Sequence, residues 1–376
     1  MANQSGPQDR DRVKPRVVSW RPRGTEMRPV SAASQWHVPE IRTPRELAAW
    51  LNVSFKQLDW LADIRSLEYT PGRGRSRHYC YRVLSKRFGA VRLIEAPKSR
   101  LKAIQRQISS EILSQIPVHE SVHGFRRGKS INTFAAPHVG RACVTKIDLE
   151  DFFPTVTRSW VRGIFQSAGY PDAVSVLLAG LCTNSAPHDV WQDMREQLPR
   201  QRLRYIEALY ATPHLPQGAP SSPTLANLAA FRLDCRLSGL ARKMELTYTR
   251  YADDLAFSSD SPATRDIHRR LPYIYAIVME EGFRIHFRKT RVMPSAGRQF
   301  LTGLVVNDRL NITRTDYDVL KAILTNCVRH GPDGQNRDRR NDFRAHLSGR
   351  IAFVESVHPE RGNKLRQLFE RIQWPT

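Results

Sequence analysis

The spacing of apolar positions predicts alternating helical and extended segments along the chain. Leu47, Trp50 and Leu51 recur at helical spacing after the capping-box pattern of residues 43–46, so the first firm element is helical. Longer apolar runs bounded by turn residues predict strands instead. The first elements predicted in this way are a helical segment over roughly 43–66, two strands over 78–97 joined near 86–89, and a basic amphipathic helix over 98–116.

The middle of the chain alternates regularly between strands and helices. The predicted order is a strand at 142–149, helices near 158–168 and 172–182, an irregular and partly helical stretch at 183–214, a helix capped by Ser222 with Pro223 at its first position, two strands around a tight turn at 246–258, a helix from Ser261-Pro262 to Gly282, and a strand at 283–287. This order indicates a split β-α-β arrangement with one antiparallel sheet and helices behind it. Residues 300–307 predict one further strand that turns at 307–308, and helices dominate after Thr313.

Charge and cysteine usage narrow the classes of partner and compartment. The 376 residues carry 59 Lys+Arg against 36 Asp+Glu, a formal net charge of +23, while 40% of positions are hydrophobic. The chain can therefore bury a core, and its surplus of positive charge predicts a polyanionic partner, nucleic acid or an anionic membrane surface. No apolar run is long enough to span a membrane, no secretory signal is visible, and the five scattered cysteines suit neither zinc nor disulfides, so we expect a cytoplasmic protein.

Three carboxylates are the strongest chemical signal. Asp253 and Asp254 are adjacent and lie between apolar strand residues, where two ionised carboxylates repel unless a cation binds them. A simple Asp-Asp turn is the alternative interpretation. Asp148 ends the predicted strand at 142–149 and can face the pair if the strands are neighbours, although the two acidic residues that follow it also fit a solvated strand end. Three such carboxylates suit a two-metal site for phosphoryl transfer.

Three motifs and two further stretches point to a known family. The sequences DLEDFF at 148–153, QGAPSSP at 217–223 and YADD at 251–254, in this order, resemble the palm of reverse transcriptases, and the resemblance extends from about residue 80 to the last residue. The stretches at 122–140 and 300–307 resemble bacterial reverse transcriptases of the retron type. Two features depart from that type: its Asn-Ala-x-x-His motif is matched in part at 134–138, which we favour, and at 184–188, and its Val-Thr-Gly is Leu301-Thr302-Gly303.

The resemblance implies an α+β right-hand polymerase fold with fingers, palm and thumb. The expected division is a flexible basic N-terminal extension at 1–40, N-terminal helices and fingers at 41–141, a palm at 142–308 with a fingers insertion at about 170–215, and a helical thumb at 309–376. Because these regions account for the whole length, we expect no added nuclease domain.

The resemblance also implies roles for individual residues. It matches Asp148, Asp253 and Asp254 to the catalytic aspartates that bind two Mg²⁺ ions, with Mn²⁺ as a substitute. The nucleotide-binding positions that it matches are Arg92 and Lys98 for the triphosphate, Phe153 as a steric gate against the ribose 2′-hydroxyl, Gln217 and Gly218 in the loop beside the incoming nucleotide, and Lys289 as a proton donor to pyrophosphate. The alternatives are core packing for Phe153, a solvated strand position for Arg92 and an ordinary loop at 217–218.

Basic residues distributed over the chain suggest a track for the phosphates of a primer–template duplex. The positions expected to bind nucleic acid are Lys102, Arg106, Arg126, Arg127, Lys129, Thr302, Gly303, Arg339 and Arg340. Solvated loops are the alternative for each basic run. For His138 we favour a structural role, with satisfied hydrogen bonds, over catalysis.

The function implied is that of an RNA-directed DNA polymerase. It would take dNTPs, use a cognate structured noncoding RNA as template and primer, and form an RNA–DNA duplex product in which the DNA can stay joined to that RNA. It would act in antiphage defence with an associated effector protein. The alternatives are a group II intron-like, diversity-generating or abortive-infection reverse transcriptase, and a non-enzymatic RNA-binding protein on a polymerase scaffold. No membrane partner is expected.

Overall fold

The computed structural model describes residues 26–67, 77–85, 91–194, 198–260 and 264–374. The turn predicted near 86–89, the helix start predicted at Ser261-Pro262 and the first 25 residues of the expected N-terminal extension lie outside these ranges.

Helices and short strands follow one another along the described chain. The helices are α1 (Pro44–Trp50), α2 (Phe55–Ala62), α3 (Ser99–Gln107), α4 (Ile131–Ala135), α5 (Phe152–Thr155), α6 (Arg158–Ser167), α7 (Asp172–Cys182), α8 (Arg200–Ala211), α9 (Ser222–Ala229), α10 (Phe231–Lys243), α11 (Thr264–Glu280), α12 (Arg314–His330), α13 (Phe343–Val357) and α14 (Pro359–Glu370). The strands are β1 (Tyr79–Ser85), β2 (Val91–Pro97), β3 (Cys143–Glu150), β4 (Thr247–Tyr251), β5 (Asp254–Ser259), β6 (Arg284–Ile285), β7 (Arg291–Pro294), β8 (Phe300–Leu301) and β9 (Leu304–Val305).

One five-stranded antiparallel sheet forms the centre of the molecule. Its order is β4-β5-β3-β6, and β7 also pairs with β3. The burial of β3 shows why it is central: six of its eight residues are buried, and its apolar residues Ile147 and Leu149 join the main hydrophobic core. Leu225, Leu237 and Ile274 bring helices α9, α10 and α11 into the same core. The split β-α-β arrangement expected from the sequence is confirmed.

A second unit is built on the hairpin of β1 and β2. These strands pair antiparallel from Tyr79↔Pro97 to Ser85↔Val91. Val91 and Leu93 of β2 pack with Trp191 and with the buried face of α8, including Ile206. The stretch at 183–214 is therefore partly helical, as predicted, and it covers the hairpin rather than the central sheet.

The C-terminal helices have a core of their own that reaches the sheet. Leu324 of α12, Ile351 of α13 and Leu365 of α14 pack together, and this cluster also includes Phe134 and Val144. The helices predicted after Thr313 are confirmed, and Thr313 caps α12 by accepting a hydrogen bond from the Asp316 amide. Across the part of the chain that the structure describes, no helix is long and apolar enough to cross a membrane.

Three predicted local structures are wrong. Residues 300–307 are not one strand but the two short strands β8 and β9, because Thr302 and Gly303 both adopt positive φ, 45° and 92°, and turn the chain there. The strand at 283–287 is only β6, and Phe287–Lys289 form a 3-10 helix. Ser222 does not cap α9: it is the first helical residue, Ser221 precedes it, and the Ser222 hydroxyl donates to the Pro216 carbonyl.

Residues 26–40 also differ from the expected flexible extension. The Arg28 and Val30 amides donate to the carbonyls of Gly169 and Ser167, 2.9 and 3.1 Å away. Met27, Trp36 and Val38 pack against the main core. Apolar side chains scattered among the polar ones therefore hold this part of the segment on the body of the protein.

Candidate active site

Two of the three predicted metal-binding aspartates are cross-strand neighbours. β3 and β5 pair antiparallel with Asp148 directly opposite Asp254, so both side chains lie on one face of the sheet. Lysine ammonium groups contact both carboxylates. Lys289 Nζ is 2.9 Å from Asp148 Oδ1, and Lys146 Nζ is 2.9 Å from Asp254 Oδ1.

The third aspartate lies in the tight turn between β4 and β5. Ala252 has φ of 54° there, and the Asp253 carbonyl accepts a hydrogen bond from the Leu149 amide at 2.8 Å, which ties the turn to β3. Burial raises the pKa of the Asp253 carboxyl, and the negative charges of Asp254 and Asp148 raise it further. The turn therefore concentrates negative charge that a cation would stabilise.

These residues fit a divalent cation. All three offer carboxylate oxygens, the ligands that Mg²⁺ prefers. The ammonium groups of Lys146 and Lys289 already contact two of these carboxylates, which shows that the site attracts positive charge. Within the described ranges, no three Asp, Glu, His or Cys side chains converge as a ready-made ligand cluster. Metal binding would thus require Lys289 and Lys146 to give up these contacts.

One pocket contains most of the predicted nucleotide-binding residues. Its lining residues include Asp148, Asp253, Arg92, Phe153, Gln217 and Lys289. Asp254 is not among them; besides Lys146, it accepts a hydrogen bond from the Thr302 hydroxyl at 3.1 Å. Lys98, which precedes α3, and Gly218 do not line this pocket either. Arg92, on β2, lines the same pocket as Asp148. The Nε of its guanidinium is buried and has no hydrogen-bond partner.

The acidic residues that follow Asp148 have arginine partners. Arg202 Nη1 is 3.1 Å from Glu150 Oε1, and the Tyr205 hydroxyl donates to Asp151 Oδ2 at 3.1 Å. Arg284 lies 3.6 Å from the other oxygen of Glu150. Arg202 Nη2 also lies 3.9 Å from Asp151 Oδ2. Glu150 and Asp151 are therefore neutralised mainly by arginine, whereas Asp148 and Asp254 each have a lysine partner.

An aromatic cluster borders the pocket at the predicted steric gate. Asp151 has φ of 50°, and this left-handed residue turns the chain into α5, where Phe153 lies. The ring of Phe153 is 5.7 Å from that of Phe152 and 6.1 Å from that of Phe125, measured between centroids. Phe125 is 47% exposed and also lies 6.4 Å from the ring of Tyr251.

The loop at Gln217-Gly218 docks on β2. The Gln217 carbonyl accepts a hydrogen bond from the Glu95 amide at 2.9 Å. Gly218 has φ of 134°, and a Cβ there would lie 3.0 Å from the Glu95 carbonyl oxygen, so only glycine fits this close approach. The buried Glu95 carboxylate in turn contacts Asn184 Nδ2 at 2.8 Å and His214 Nε2 at 3.0 Å.

Comparison with known proteins decides the family. The sequence profile of the reverse transcriptase (RNA-dependent DNA polymerase) family matches residues 84–304, more than half of the chain. The retron Mx65 reverse transcriptase of Myxococcus xanthus is 40% identical over 336 residues, 88% of this chain and 72% of that protein.

The chain belongs to the retron reverse transcriptases. The retron Mx162 reverse transcriptase of Myxococcus xanthus is 36% identical over 343 residues, 88% of this chain and 67% of that protein. A solved foamy viral protease-reverse transcriptase in complex with double-stranded DNA aligns with 80% of this chain and 44% of its own, at 14% identity and a TM-score of 0.37, too distant to add to the argument.

This reverse transcriptase is therefore an RNA-directed DNA polymerase with the α+β polymerase fold, and its family depends on divalent metal ions. The comparisons favour the retron class over the intron-like, diversity-generating and abortive-infection alternatives, and an enzyme over a non-enzymatic scaffold.

His138 has the satisfied environment expected from the sequence. Its ring is fully buried, and its nitrogens lie 2.7 Å from the Ser258 hydroxyl and 2.8 Å from the Thr249 hydroxyl. Burial lowers its pKa to about 3, with a smaller contribution from Arg141. The imidazole is therefore neutral and joins β4 to β5 away from the pocket.

The predicted nucleic-acid-binding residues lie on the surface in several elements of this reverse transcriptase. Lys102 and Arg106 are exposed on α3, and Arg127 and Lys129 in the loop before α4. The other predicted positions are the half-buried Arg126 and Thr302 and the exposed Gly303, Arg339 and Arg340.

Sequence reasoning missed three side chains at the site. Lys146 lies two residues before Asp148 on the same face of β3, a signal that strand alternation could have supplied. Arg202 reaches the pocket from α8, and Phe125 reaches its border from the loop before α4. No local sequence pattern predicts the positions of Arg202 and Phe125, because only the packing of distant segments brings them to the pocket.

Proposed function

We propose that this reverse transcriptase copies a structured noncoding RNA, which supplies both template and primer, into single-stranded DNA by two-metal-ion nucleotidyl transfer with Mg²⁺ and dNTPs. The single observation that carries the mechanism is the shared pocket of Asp148, Asp253, Arg92 and Lys289. Two acceptors of cations and two donors to phosphates meet there, which is the charge arrangement that nucleotidyl transfer requires.

The roles of the pocket residues follow from their charge and position. Asp148 and Asp253 would hold the metal ions, and Asp254, which contacts Lys146 and Thr302, would support them from its position directly opposite Asp148. The bound ions would activate the attacking hydroxyl and neutralise the phosphates. Arg92 binds the triphosphate bidentately, with Lys98 as a more distant helper, and Lys289 transfers from Asp148 to the pyrophosphate, to which it donates a proton.

The remaining contacts shape the nucleotide site and the track for nucleic acid. Gln217 and Gly218 support the incoming nucleotide through their close approach to β2, and Phe153 excludes a 2′-hydroxyl. The duplex phosphates contact the surface formed by Lys102, Arg106, Arg126, Arg127, Lys129, Thr302, Gly303, Arg339 and Arg340. The cognate RNA, a separate effector protein and a part in antiphage defence extend the proposal beyond the site, and membership of the retron family supports them.

The metal assignment is tested by paired asparagine substitutions. With an RNA template, a DNA primer, dNTPs and Mg²⁺, we expect Asp253→Asn to lower the extension rate about a thousandfold, equivalent to ~4 kcal/mol of transition-state stabilisation. Asp254→Asn is expected to cost less, because its carboxylate lies outside the pocket. Asp260→Asn, at an exposed ion pair with Arg141, is the matched control and should extend normally. Full extension by Asp253→Asn would contradict the assignment.

The RNA partner is tested by sequencing nucleic acid that co-purifies with the protein from its native host. We expect one structured RNA joined covalently to single-stranded DNA. A mixture of cellular RNAs without attached DNA, from a protein that extends primers normally, would contradict the template-and-primer proposal while leaving the polymerase intact.

A further inference from the structure

A fully buried guanidinium lies behind the metal-binding turn. Arg250 is on β4, three residues before Asp253, and its side chain has no exposed surface. Its Nε and Nη2 donate to the two carboxylate oxygens of Asp234 on α10, at 2.8 and 2.7 Å. Arginine keeps its charge even when buried, so this fork to a carboxylate neutralises it.

The third nitrogen of Arg250 is directed at the turn itself. Nη1 donates to the Ala252 carbonyl at 3.0 Å and to Asn227 Oδ1 at 3.0 Å. That carbonyl belongs to the peptide that joins Ala252 to Asp253. Ala252 is in the left-handed region with φ of 54°, a conformation that a residue with a Cβ adopts at a cost and that needs support from its surroundings. The guanidinium supplies that support.

The same guanidinium also fixes the segment that leads into the basic loop before α4. Asn227, which accepts from Arg250, also donates from Nδ2 to the Gly124 carbonyl of this segment at 2.9 Å. Gly124 approaches the turn so closely that a Cβ there would lie 2.5 Å from the Ala252 nitrogen. The backbone of Arg250 completes the link, donating to the Ser121 carbonyl and accepting from the His123 amide, both at 2.8 Å.

Stability alone does not explain this arrangement. A buried ion pair contributes little net stability compared with well-packed apolar side chains of similar volume, because both charges lose their hydration. Two of the guanidinium contacts are made by Nη1 to the turn and to Asn227, and charge neutralisation by Asp234 does not require either of them. These two contacts determine geometry at the point where the chain enters the metal site.

We propose that Arg250 is a positioning residue for catalysis: held by Asp234, it fixes the Ala252–Asp253 peptide and thereby the direction of the Asp253 carboxylate toward the metal. The inference rests on the proposed role of Asp253 as a metal ligand. It adds a buried Asp234–Arg250–Asn227 network to the site. Through this network the metal-binding turn and the segment at 121–124 are held in a fixed relative position.

The test separates positioning from folding with a double variant. Arg250→Met alone would leave Asp234 buried without its partner and threaten the fold, so it is combined with Asp234→Leu, which restores an apolar interior. We expect the double variant to keep a cooperative thermal transition near the wild-type midpoint. Its affinity for Mn²⁺ alone, measured from the electron paramagnetic resonance signal of the free ion, should fall about tenfold, as for other side chains that orient a metal ligand. The Mg²⁺ concentration for half-maximal extension should rise in parallel.

Two further variants keep the test decisive. Arg250→Lys retains the charge beside Asp234 but has no planar fork, so it should fold and show the same loss of Mn²⁺ affinity even if the double variant does not fold. Tyr248→Phe removes a 2.8 Å hydrogen bond to Asp234 Oδ1 in the same cluster without touching the turn, and it should bind Mn²⁺ as the wild type does.

Each outcome has one meaning. Wild-type Mn²⁺ affinity in a folded double variant and in Arg250→Lys would overturn the inference and leave Arg250 with a structural role only. If Asp253→Asn also bound Mn²⁺ normally, the proposed function of Asp253 would fail first, which distinguishes the two failures.

Discussion

Phe153 lines the pocket that contains Asp148, and we propose that this side chain selects the sugar of the nucleotide. Its ring lines the pocket with Asp148 and Gln217, and Phe152 and Phe125 pack against it. The ring thus packs against two neighbours and also lines the pocket, so its packing contacts do not conflict with the proposed gate role.

Replacing this ring should relax sugar selection. In Phe153→Ala we expect ribonucleotide incorporation relative to deoxyribonucleotide to rise by about ten- to a hundredfold, since a steric clash with a 2′-hydroxyl is worth roughly 1–3 kcal/mol. Single-nucleotide extension with matched dNTP and rNTP measures the ratio. Phe152→Leu is the matched control; unchanged selection in Phe153→Ala would rule the gate out.

His138 makes the stability of the protein depend on pH. Its folded-state pKa of about 3 lies below the ordinary value of 6.5. Between these two pH values the imidazole is therefore protonated in the unfolded chain but neutral in the folded protein. The contribution of neutral His138 to the free energy of unfolding is therefore fully present above pH 6.5, and it is lost as the pH falls from 6.5 toward 3. At pH 5 the loss is roughly 2 kcal/mol.

Urea unfolding at pH 7.5 and pH 5 measures this loss. In His138→Gln the decrease in unfolding free energy between the two pH values should be smaller than in the wild type by about 2 kcal/mol. His268→Gln, at an exposed position on α11, is the matched control and should lose as much as the wild type. An equal decrease in all three proteins would contradict the assignment to His138.

At the scale of elements, close helix packing decides where glycine is required. In α14, a Cβ at Gly362 would lie 2.5 Å from Glu355 Cα and 2.7 Å from its nitrogen, so α14 contacts the backbone of α13 directly. In α13, a Cβ at Gly349 would have nothing within 4 Å. The two glycines are indistinguishable by sequence pattern, but the tertiary contacts give them opposite roles.

Alanine at these two positions should therefore have effects of opposite sign. Gly362→Ala must push the helices apart and is expected to destabilise by about 2 kcal/mol or more, in the range of overpacked cores. Gly349→Ala should stabilise by roughly 0.5–1 kcal/mol, because alanine loses less backbone freedom in a helix. Thermal or urea unfolding compares them; a loss of stability in both variants would mean that α13 has other close neighbours at Gly349.

At the scale of the whole molecule, the net charge of +23 predicts the salt dependence of nucleic-acid binding. Each phosphate contact releases a counterion, so the slope of log K against log salt counts contacts. Arg126→Ala with Arg127→Ala should reduce that slope by about 1 for each residue that contacts a phosphate. Lys243→Ala, at the end of α10 and before the end of β4 opposite to the turn at 251–254, is the control. An unchanged slope in the double variant would exclude this loop from the track.

The family and most of the elements were accessible from local pattern. Strand alternation around Asp148, the YADD turn and the cap at Thr313 are short-range features, and the structure confirms the sheet and helices that they predict. The errors at 300–307 and 283–287 arise from features that an apolar run does not show. Thr302 and Gly303 turn the chain between β8 and β9, and β6 pairs with β3 at only two residues.

The sequence by itself determined the chemistry of this protein: which side chains carry charge, which motifs recur in the reverse transcriptases, and which runs must be buried. Only the tertiary structure decided which of those groups meet. In the folded chain Arg92 and Asp148 line one pocket, and Lys98 lies outside it. Glu150 and Asp151 contact an arginine, and Arg250 is buried against the turn that contains Asp253. The physical reason is that hydrogen bonds and ion pairs between residues distant in sequence depend on packing, which has no local signature.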